Sequence, residues 1–419
     1  MTVTQDIADV QRELLRELLA TVAKRNPFYR HKIHQSGFDI AAADIAFGAF
    51  PFTTKAELIE DQRRHPPYGT NLSFPIEDYT RYYQTSGTSA TPMRWLDTHQ
   101  SWTWMLDSWA YMFQAMGVTR RDRVLAAFSF GPFLGFWTAF ECAQRMGCLC
   151  FPGGGMNSEA RLRMLADNEI TVLLCTPTYA VRLGQEARKI DGGSAVDSVR
   201  RIIVAGEPGG SIPATRNRLA ELWPNATVLD HYGTTETGPV AYQLPDEPGN
   251  LRTNDSAYLV EIIDPETSRP VDTGEVGELV LTGLGRLGSP LLRYRTGDLV
   301  RRGAPDGRCP DRMLAGGVIG RADDMVVVRG VNIYPSAVES VLHTFPEIVE
   351  FRVTQLTSDG TSELEVEVEL DEDTADVGAT VADIGEALRS NLLIRFAVRP
   401  VGPGALPRFD MKARRWSRR

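Results

Sequence analysis

The sequence predicts an α/β fold: a large N-terminal domain with parallel α/β sheets plus a β-barrel-like subdomain, and a small α+β C-terminal domain. Three observations lead to this prediction. The chain of 419 residues is too long for one ordinary hydrophobic core. From about residue 122, strand-like apolar runs alternate with segments of helical length. The pattern changes to short strands near residue 256, and a third pattern starts near Gly320.

Composition narrows the class of protein. Hydrophobic residues make up 42% of the chain and charged residues 24%, which is typical of a globular protein. The net charge of −9 argues against non-specific binding to nucleic acid or to anionic membranes. The segment MTVTQDIADVQRELL carries acidic residues where a signal peptide needs basic ones, and no apolar run is long enough to cross a bilayer. We therefore expect a cytoplasmic protein with no nucleic-acid partner and no membrane partner.

Periodicity gives the elements of the first region. Apolar residues at three- and four-residue intervals predict an amphipathic helix over residues 5–24. Strands are expected at DRVLAAF, CLCF, TVLLC and RIIVAG, with helices near residues 133–147, 158–169, 178–190 and 212–222. Such an alternation indicates a parallel sheet with helices on its faces. In these sheets, ligands bind in the loops that follow the carboxyl ends of the strands.

The later patterns set the domain boundaries. The runs AYLVEII, GELVLTG and LLRYRTGDLV indicate an antiparallel, barrel-like subdomain over residues 256–320, within a domain of residues 1–320. Residues 321–419 then form the small domain, with a strand at MVVVRG and helices near residues 335–344 and 380–393. The run ELEVEVEL predicts a half-buried strand whose glutamates form the solvated face.

The cysteines suggest neither disulfides nor a metal site. Five cysteines form an odd and sparse set, which argues against a disulfide framework. Cys148 and Cys150 invite a metal interpretation, but GCLCFPG is typical of a buried strand, and no histidine or second cysteine pair lies at zinc-site spacing. Core packing is the favoured interpretation for both thiols.

A loop rich in hydroxyl residues is the sharpest local motif. It runs from Tyr83 to Pro92 with the sequence YQTSGTSATP. Hydroxyls and backbone N–H groups can wrap phosphate oxygens without a side-chain charge, although such clusters are usually turns. The chain contains no GxxxxGK[ST] pattern, so this is not a Walker loop.

A second glycine motif, GLGRLG at residues 283–288, matches GxGxxG. A dinucleotide fingerprint must open a helix, whereas Pro290 and the strand-like LLRYR follow here. A nicotinamide oxidoreductase is a hypothesis that rests on this motif alone, and the missing helix disfavours it.

Three further clusters carry groups suited to a nucleotide. The motif HYGTTE, from His231 to Glu236, follows a strand-like run and offers a tyrosine to stack on a base and a glutamate to hold Mg²⁺. The motif YRTGD ends in Asp298, a carboxylate suited to gripping ribose hydroxyls. The motif GRADD, from Gly320 to Asp324, lies at the predicted domain boundary. Their order along one chain is hard to attribute to coincidence.

Seven motifs in order resemble those of the adenylate-forming acyl-CoA synthetase superfamily: TSGTSATP, AGEPGG, HYGTTETG, GELVLTG, RYRTGDL, GRADDMVVVRGVNIYPSAVE and LPRFDMKARRW. The short chain and the segments NPFYRHKI and PFTTKAEL resemble the phenylacetate–CoA ligase branch of that superfamily. The similarity extends from about residue 26 to residue 416.

The resemblance implies a role for each motif residue. Glu236 coordinates Mg²⁺, and Lys412, on a mobile C-terminal domain, bridges the substrate carboxylate and the α-phosphate. Asp298, assisted by Arg321, holds the ribose hydroxyls, and the small domain rotates at Asp323. The other implied contacts are with the ATP phosphates (Thr85, Ser86, Gly87, Thr88, Ser89, Thr235), with adenine (Gly206, Glu207, Pro208, His231, Tyr232, Gly233) and with coenzyme A (Gly330).

Two adenine contacts are implied in more detail: Tyr232 stacks on the ring, and His231 lies beside its exocyclic edge. The physical chemistry agrees with the implied set. A carboxylate that attacks ATP brings two anions together, so the site needs cations such as Mg²⁺ and the ammonium of Lys412.

The implied reaction is the ATP-dependent activation of a carboxylic acid as an acyl-adenylate, followed by transfer to coenzyme A to give a thioester. The co-substrates are therefore ATP and coenzyme A, with Mg²⁺ as cofactor. An alternative keeps adenylation and passes the acyl group to a carrier-protein thiol, an amine or another nitrogen nucleophile. A catalytically weak nucleotide-binding protein is a third hypothesis, and a homodimer is left open.

Two departures from the family pattern stand out. The phosphate loop carries Ala90 and Thr91 where the family usually has glycine and a basic residue, so a charge near the β- and γ-phosphates is missing. Some relatives carry a cysteine-containing metal site after the Tyr-Gly…Glu motif, but GPVAYQLPDEPGN has no cysteine, so no zinc is expected.

The acid pocket of the family borders the segment after residue 128. Here the sequence SFGPFLGFWTAF offers Phe130, Phe133 and Phe136 as an aromatic lining, suited to an aryl or arylalkyl carboxylate. Ordinary helix packing is the alternative, because aromatic residues at helical spacing serve both purposes.

Overall fold

A computed structural model describes residues 3–42, 47–85, 92–135, 137–305, 307, 309, 311–322, 326–328, 331–358, 361–408 and 415–418. Its helices are α1 (Val3–Arg25), α2 (Pro27–Ser36), α3 (Lys55–Arg64), α4 (His99–Ala115), α5 (Trp137–Arg145), α6 (Ser158–Asp167), α7 (Pro177–Asp191), α8 (Pro213–Leu222), α9 (Pro335–Leu342) and α10 (Val377–Leu392). The first strands are β1 (Tyr79–Gln84), β2 (Arg94–Thr98), β3 (Arg123–Ala126), β4 (Leu149–Pro152), β5 (Val172–Cys175), β6 (Arg201–Val204), β7 (Thr227–Thr234), β8 (Gly238–Tyr242) and β9 (Leu251–Thr253).

The remaining strands are β10 (Tyr258–Ile263), β11 (Val276–Gly283), β12 (Tyr294–Arg302), β13 (Met313–Arg321), β14 (Val326–Val328), β15 (Val331–Ile333), β16 (Ile348–Ser358), β17 (Thr361–Leu370), β18 (Ala397–Val401) and β19 (Trp416–Arg418). The predicted α/β fold class is confirmed, and each helix and strand named in the sequence analysis is present.

The parallel part of the main sheet has the order β4-β3-β5-β6-β7. Its strands alternate apolar side chains between two cores, one on each face. Leu174 and Leu229 belong to the core that packs on α4, whereas Leu173 and Val228 belong to the core on the opposite face. Both faces of this sheet are covered, as expected for strands connected by helices.

Strand β7 joins the parallel and antiparallel parts. Residues Thr227 to Asp230 pair with β6 in parallel, and residues His231 to Thr234 pair with β8 in the opposite sense. Strands β8, β9, β13, β12, β11 and β10 continue from there, giving a sheet of eleven strands. The antiparallel pattern predicted for residues 256–320 is confirmed, but these strands extend the parallel sheet because β7 is long enough to pair with both parts.

The C-terminal region has a sheet and core of its own. Its four strands have the order β18-β17-β16-β19, and α9 and α10 contribute Val338, Leu342, Ile384 and Leu388 to the core. Whether the chain divides into domains at residues 320 and 321 stays a prediction.

The glutamates of β17 differ from the expected solvated face. Glu369 is buried and bonds to Arg408, while Glu367 pairs with Arg352. Arginines on neighbouring segments cover this face of the strand, so its carboxylates are paired with cations rather than only hydrated.

Among the described residues, no helix combines the length and the apolar character that crossing a membrane requires. The five cysteines are free thiols, and Cys148 is buried in the core that packs on α4, as the sequence predicts.

Candidate active site

The motif residues lie where β7 leaves the parallel part of the sheet. The turn after β7 carries Thr235 and Glu236. Strands β12 and β13 belong to the same sheet and are joined to β7 by the intervening strands β9 and β8. The carboxyl ends of β5 and β6 lead into Thr176 and into the loop that begins at Ala205. Strands of the parallel part thus present their following loops at one edge, which is the usual ligand-binding position in such sheets.

The predicted ribose-binding residues contact each other and Tyr232. The hydroxyl of Tyr232 donates to Asp298 Oδ2 at 2.5 Å, and Arg321 Nη1 donates to Asp298 Oδ1 at 3.1 Å. The register of β12 on β13 places Asp298 opposite Arg321. Burial, together with the neighbouring Asp298 carboxylate, raises the pKa of Tyr232 well above its ordinary value, so the phenol stays a proton donor.

Glu236 is a buried carboxylate with a lysine partner. The side chain of Glu236 is 8% exposed, and Lys55 Nζ lies 3.1 Å from Oε1. Lys55 is the first residue of α3, whose N-cap is Thr54. Glu57 completes a capping box there, which fixes the start of the helix and the point from which Lys55 extends. Sequence reasoning did not identify Lys55, although the PFTTKAEL segment contains it.

The backbone around Glu236 is held by Arg286. Its Nη1 donates to the carbonyl oxygens of Thr235 at 3.0 Å and of Glu236 at 2.7 Å. Asp97 accepts from Nε and Nη2 of the same guanidinium at 2.7 and 2.6 Å, and both side chains are buried. Arg286 is the central residue of the GLGRLG motif, so this motif positions the turn with Glu236.

The glycines of that motif also differ from a dinucleotide fingerprint. Gly283 is the last residue of β11, the next residues open no helix, and a Cβ on Gly285 would lie 2.2 Å from Trp104. Gly285 is therefore needed for packing, and the nicotinamide hypothesis loses its one supporting motif.

The predicted adenine loop packs against Asp230, the last residue of β7 that pairs with β6. Glu207 accepts a hydrogen bond from the backbone N–H of Thr178 at 2.9 Å. A Cβ on Gly210 would lie 2.4 Å from Asp230, so the loop approaches this carboxylate as closely as glycine allows. Ser211 Oγ bonds to Asp230 at 2.5 Å, and burial raises the pKa of Asp230 to about 6.

Other adenine-loop residues are placed as follows. Gly206 has φ +93°, a conformation that favours glycine, and Pro208 lies in the same loop. A Cβ on Gly233 would lie 2.6 Å from the carbonyl oxygen of Gly238, so the end of β7 also needs a glycine where it pairs with β8. Asp230 was not identified from the sequence, because an aspartate before His-Tyr-Gly gives no signal of its burial.

The side chain of His231 lies on the face of the sheet that packs against α4, opposite to the face on which Asp230 contacts the adenine loop. Its ring packs against Trp109 of α4, with ring centroids 4.0 Å apart in an edge-to-face arrangement. Burial lowers the pKa of His231 to about 3, so the imidazole is neutral. Within the described part of the chain, His231 Nδ1 is buried and has no hydrogen-bond partner.

The predicted aromatic lining is partly assembled. Phe130 contacts Phe128, Trp137 and Phe140, with ring centroids 4.6, 4.7 and 5.2 Å apart. Phe133 is half-buried beside Gly131. Phe136 lies outside the described residues.

Several further predicted residues also lie outside the described residues: Ser86, Gly87, Thr88, Ser89, Asp323, Gly330 and Lys412. Thr85 is described, and its Oγ1 accepts from Met93 N at 3.0 Å, joining the two ends of the hydroxyl-rich loop. The described residues nearest to Lys412 in the chain are paired: Arg408 with Glu369, and Arg415 with Glu350 at 2.6 Å.

Comparison with known proteins identifies the family. Residues 54–286 match the family model described as AMP-binding enzyme, and residues 330–418 match the AMP-binding enzyme C-terminal domain. The chain belongs to the AMP-binding enzyme family. The resemblance drawn from the seven motifs is confirmed.

Among relatives of this AMP-binding enzyme, phenylacetate-coenzyme A ligase of Thermus thermophilus is 31% identical over 96% of this chain and 94% of the relative. The Escherichia coli phenylacetate-coenzyme A ligase is 29% identical over 97% of this chain and 94% of the relative. These proteins support an AMP-forming acid–CoA ligase of the phenylacetate–CoA ligase-like branch, which acts through an acyl-adenylate. By contrast, the malpinin synthetase of Mortierella alpina is covered over 4% of its length, so the carrier-protein alternative is not favoured.

Solved structures agree with this assignment. A 2-hydroxyisobutyryl-CoA ligase bound to its adenylate, in the postadenylation state, has a TM-score of 0.92 and 26% identity, with 100% of this chain and 90% of that chain covered. The same enzyme in the thioesterification state with coenzyme A has a TM-score of 0.73 with the same coverage. This AMP-binding enzyme therefore resembles the postadenylation arrangement more closely.

The grip on Asp298 leads to a prediction about ATP affinity. Asp298→Asn keeps the shape of the side chain and removes its charge, so we expect the dissociation constant for ATP to rise about 10- to 100-fold through the loss of charge-assisted hydrogen bonds. Isothermal titration with ATP measures this change. Asp264→Asn is the matched control, since that carboxylate binds the N–H of Thr267 in its own turn. Unchanged ATP affinity in Asp298→Asn would remove Asp298 from the ribose site.

Proposed function

We propose that this ligase activates an aryl or arylalkyl carboxylic acid with Mg²⁺ and ATP and transfers the acyl group to coenzyme A. The observation that carries the proposal is the approach of β7 and β12, which brings Tyr232 and Asp298 into contact beside the turn of Glu236. The aromatic cluster around Phe130 and the phenylacetate-coenzyme A ligase relatives support the aryl class.

In this proposal, the nucleotide lies along the carboxyl edge of β6 and β7. Asp298 and Arg321 hold the ribose, and Tyr232 covers the adenine ring. The backbone of Gly206, Glu207, Pro208 and Gly233 lines the adenine slot, and Asp230 holds that loop through Ser211. Thr85, Thr235 and the hydroxyl-rich loop at Ser86, Gly87, Thr88 and Ser89 surround the phosphates.

Glu236 fits a magnesium ion because it is a buried carboxylate that already attracts a cation. When bound, the ion neutralises phosphate charge and polarises the phosphoryl oxygens. The protein itself fixes the position of Glu236, because Arg286 donates to the backbone carbonyl oxygens of Thr235 and Glu236. Burial of the Glu236 side chain also excludes water from its carboxylate. Among the described residues, no group of three or more histidine, cysteine or acidic side chains is arranged for a metal ion. The absence of zinc stays a prediction.

We further propose that Lys55 supplies the positive charge that the phosphate loop lacks. The loop has Ala90 and Thr91 where the family has glycine and a basic residue, whereas Lys55 already lies at the carboxylate of Glu236. Its side chain is 41% exposed, so it is free to turn from Glu236 toward an incoming phosphate.

The two half-reactions need different groups at one site. In the first, a carboxylate oxygen of the acid attacks the α-phosphorus and pyrophosphate leaves, with Lys412 bridging the two anions. In the second, the thiol of coenzyme A loses its proton and attacks the acyl carbonyl, and AMP leaves. We propose that residues 321–419 rotate about Asp323 between the steps, removing Lys412 and bringing Gly330 to the pantetheine arm.

The reaction requires both ATP and coenzyme A, which supports a cytoplasmic location. A homodimer stays a prediction. The function is tested by pyrophosphate release across aromatic, arylalkyl and aliphatic acids, with and without coenzyme A. Release with aryl acids and thioester formation on adding coenzyme A would support the proposal. Turnover of aliphatic acids alone would contradict the aryl class.

Lys412→Ala should separate the half-reactions. We expect adenylate formation to fall about 100- to 1000-fold, because one well-placed electrostatic group is lost, while thioester formation from a supplied acyl-adenylate is retained. Rapid-quench measurement of each step, with Lys189→Ala on the last turn of α7 as control, gives both rates. Normal pyrophosphate exchange in Lys412→Ala would contradict the role of Lys412 in adenylate formation.

Lys55→Met should weaken the use of Mg·ATP. Removal of the cation beside Glu236 is expected to raise KM for Mg·ATP about 10- to 100-fold, the usual effect of losing a charged hydrogen bond. Steady-state kinetics at varied Mg·ATP measures this, with Lys189→Met as the matched control. If KM stays at the wild-type value, Lys55 pairs with Glu236 for folding alone.

A further inference from the structure

His231 is on the face of the sheet that packs against α4. Side chains alternate along β7, so Leu229 belongs to the core on that face, whereas Val228 belongs to the opposite core. By the same alternation, Asp230 faces the adenine loop and His231 faces α4, as its contact with Trp109 shows. The side chain of His231 therefore points away from the loop that starts at Gly206.

The burial of His231 is chemically incomplete. The residue is 6% exposed, its pKa is lowered to about 3 by burial, and Nδ1 has no partner among the described residues. A buried polar atom without a hydrogen bond costs about 1–3 kcal/mol, so native proteins seldom retain one. A bound ligand that forms a hydrogen bond with Nδ1 would remove this cost.

His231 is connected to the aromatic lining through Trp109. The indole of Trp109 touches the imidazole and donates from Nε1 to Thr138 at 2.8 Å. Trp137, the neighbour of Thr138 on α5, contacts Phe130 with ring centroids 4.7 Å apart. The imidazole is thus linked, through Trp109 and the start of α5, to the aromatic side chains of the proposed acid pocket.

The two ends of this series of contacts lie on different strands of the sheet. Strands β6 and β5 separate β7 from β3, so the carboxyl ends of β7 and β3 are about 14 Å apart at the usual strand spacing. The residue after β6 on this face is Ala205, whose small side chain packs against the α4 core. A small residue at the centre of the face favours a substrate body that lies across it.

We infer that the acid carries a neutral hydrogen-bonding substituent, a hydroxyl or an aromatic amine, and that His231 binds this substituent. The inference rests on the proposed function, since it names the chemistry of the same acid. It assigns the exocyclic edge of adenine to groups other than the His231 side chain.

The neutral imidazole decides which substituents fit. One ring nitrogen of a neutral histidine donates and the other accepts, so a hydroxyl satisfies Nδ1 in either tautomer and an aryl amine satisfies it in the tautomer in which Nδ1 accepts. Trp109 contacts the imidazole, and Met105 and Leu229 belong to the same buried apolar core, so a charged substituent would lose hydration without an opposite charge. The specificity expected is for a neutral polar group on an otherwise apolar acid.

Paired acids test the inference directly. The probes are phenylacetate and its 2-, 3- and 4-hydroxy and 2-, 3- and 4-amino derivatives, each assayed for kcat/KM of pyrophosphate release. At least one substituted acid should exceed phenylacetate about 10- to 100-fold, the discrimination expected when a buried group otherwise stays unpaired.

Variants then show whether His231 produces the preference. His231→Leu should bring the ratio of the preferred acid to phenylacetate close to one, and His231→Asn, which keeps a hydrogen-bonding group, should retain part of it. His343→Leu is the matched control, because His343 is also a neutral histidine against an aromatic ring, Phe351, but lies in the C-terminal region. It should leave the ratio unchanged.

The outcomes separate the two proposals. Phenylacetate used as well as every substituted acid, or a preference that survives in His231→Leu, overturns the role of His231 while the ligase function stands. No pyrophosphate release with any aryl acid overturns the proposed function and the inference together. If His231→Leu does not fold, the ¹⁵N shift of His231 in the wild-type enzyme decides: it should move with the acyl-sulfamoyl adenosine of the preferred acid more than with that of phenylacetate.

Discussion

The hydrogen bonds of β7 change partner and direction at His231, and the proposed binding groups depend on that change. Up to Asp230 the strand belongs to the parallel sheet, whose carboxyl edge opens to a ligand. Beyond it, the strand joins the antiparallel part, which brings β12 and β13 beside the same edge. Strand β7 therefore contacts both sets of groups: Asp230 bonds to Ser211 after the adenine loop, and Tyr232 bonds to Asp298, which pairs with Arg321.

Electrostatic pairing makes this junction stable with several buried charges. Arg286 donates two hydrogen bonds to the carboxylate of Asp97. It also donates to the backbone carbonyl oxygens of the turn that carries Glu236. Each of its three guanidinium nitrogens therefore has a hydrogen-bond acceptor. Removal of one partner of such a buried pair typically costs about 3–5 kcal/mol, since a charge is left without compensation. The turn is thus preorganised, whereas Lys55 and Glu236 form an adjustable pair at the edge of the site.

Sequence patterns predicted the elements and the order of the motifs, because strand alternation and turn residues are local properties. They could not predict contacts that depend on register. The pairing of Asp298 with Arg321 follows from the alignment of β12 on β13, and the contact of Lys55 with Glu236 joins segments far apart in the chain. The GLGRLG motif shows the same limit, since its local pattern suggests a nucleotide but its arginine serves the turn with Glu236. The sequence likewise could not predict the face of the sheet to which His231 points, because that follows from the packing of β7 against α4.

The proposed reaction requires an oxygen of the acid's carboxylate to form the bond to the α-phosphorus that becomes AMP. Carboxylate labelled with ¹⁸O tests it most directly: after turnover with ATP and coenzyme A, the products are analysed by mass spectrometry. One ¹⁸O atom is expected in AMP, because the oxygen that attacks the α-phosphorus stays with AMP when the thiol takes the acyl group. Label in inorganic phosphate, with ADP as the other product, would contradict it.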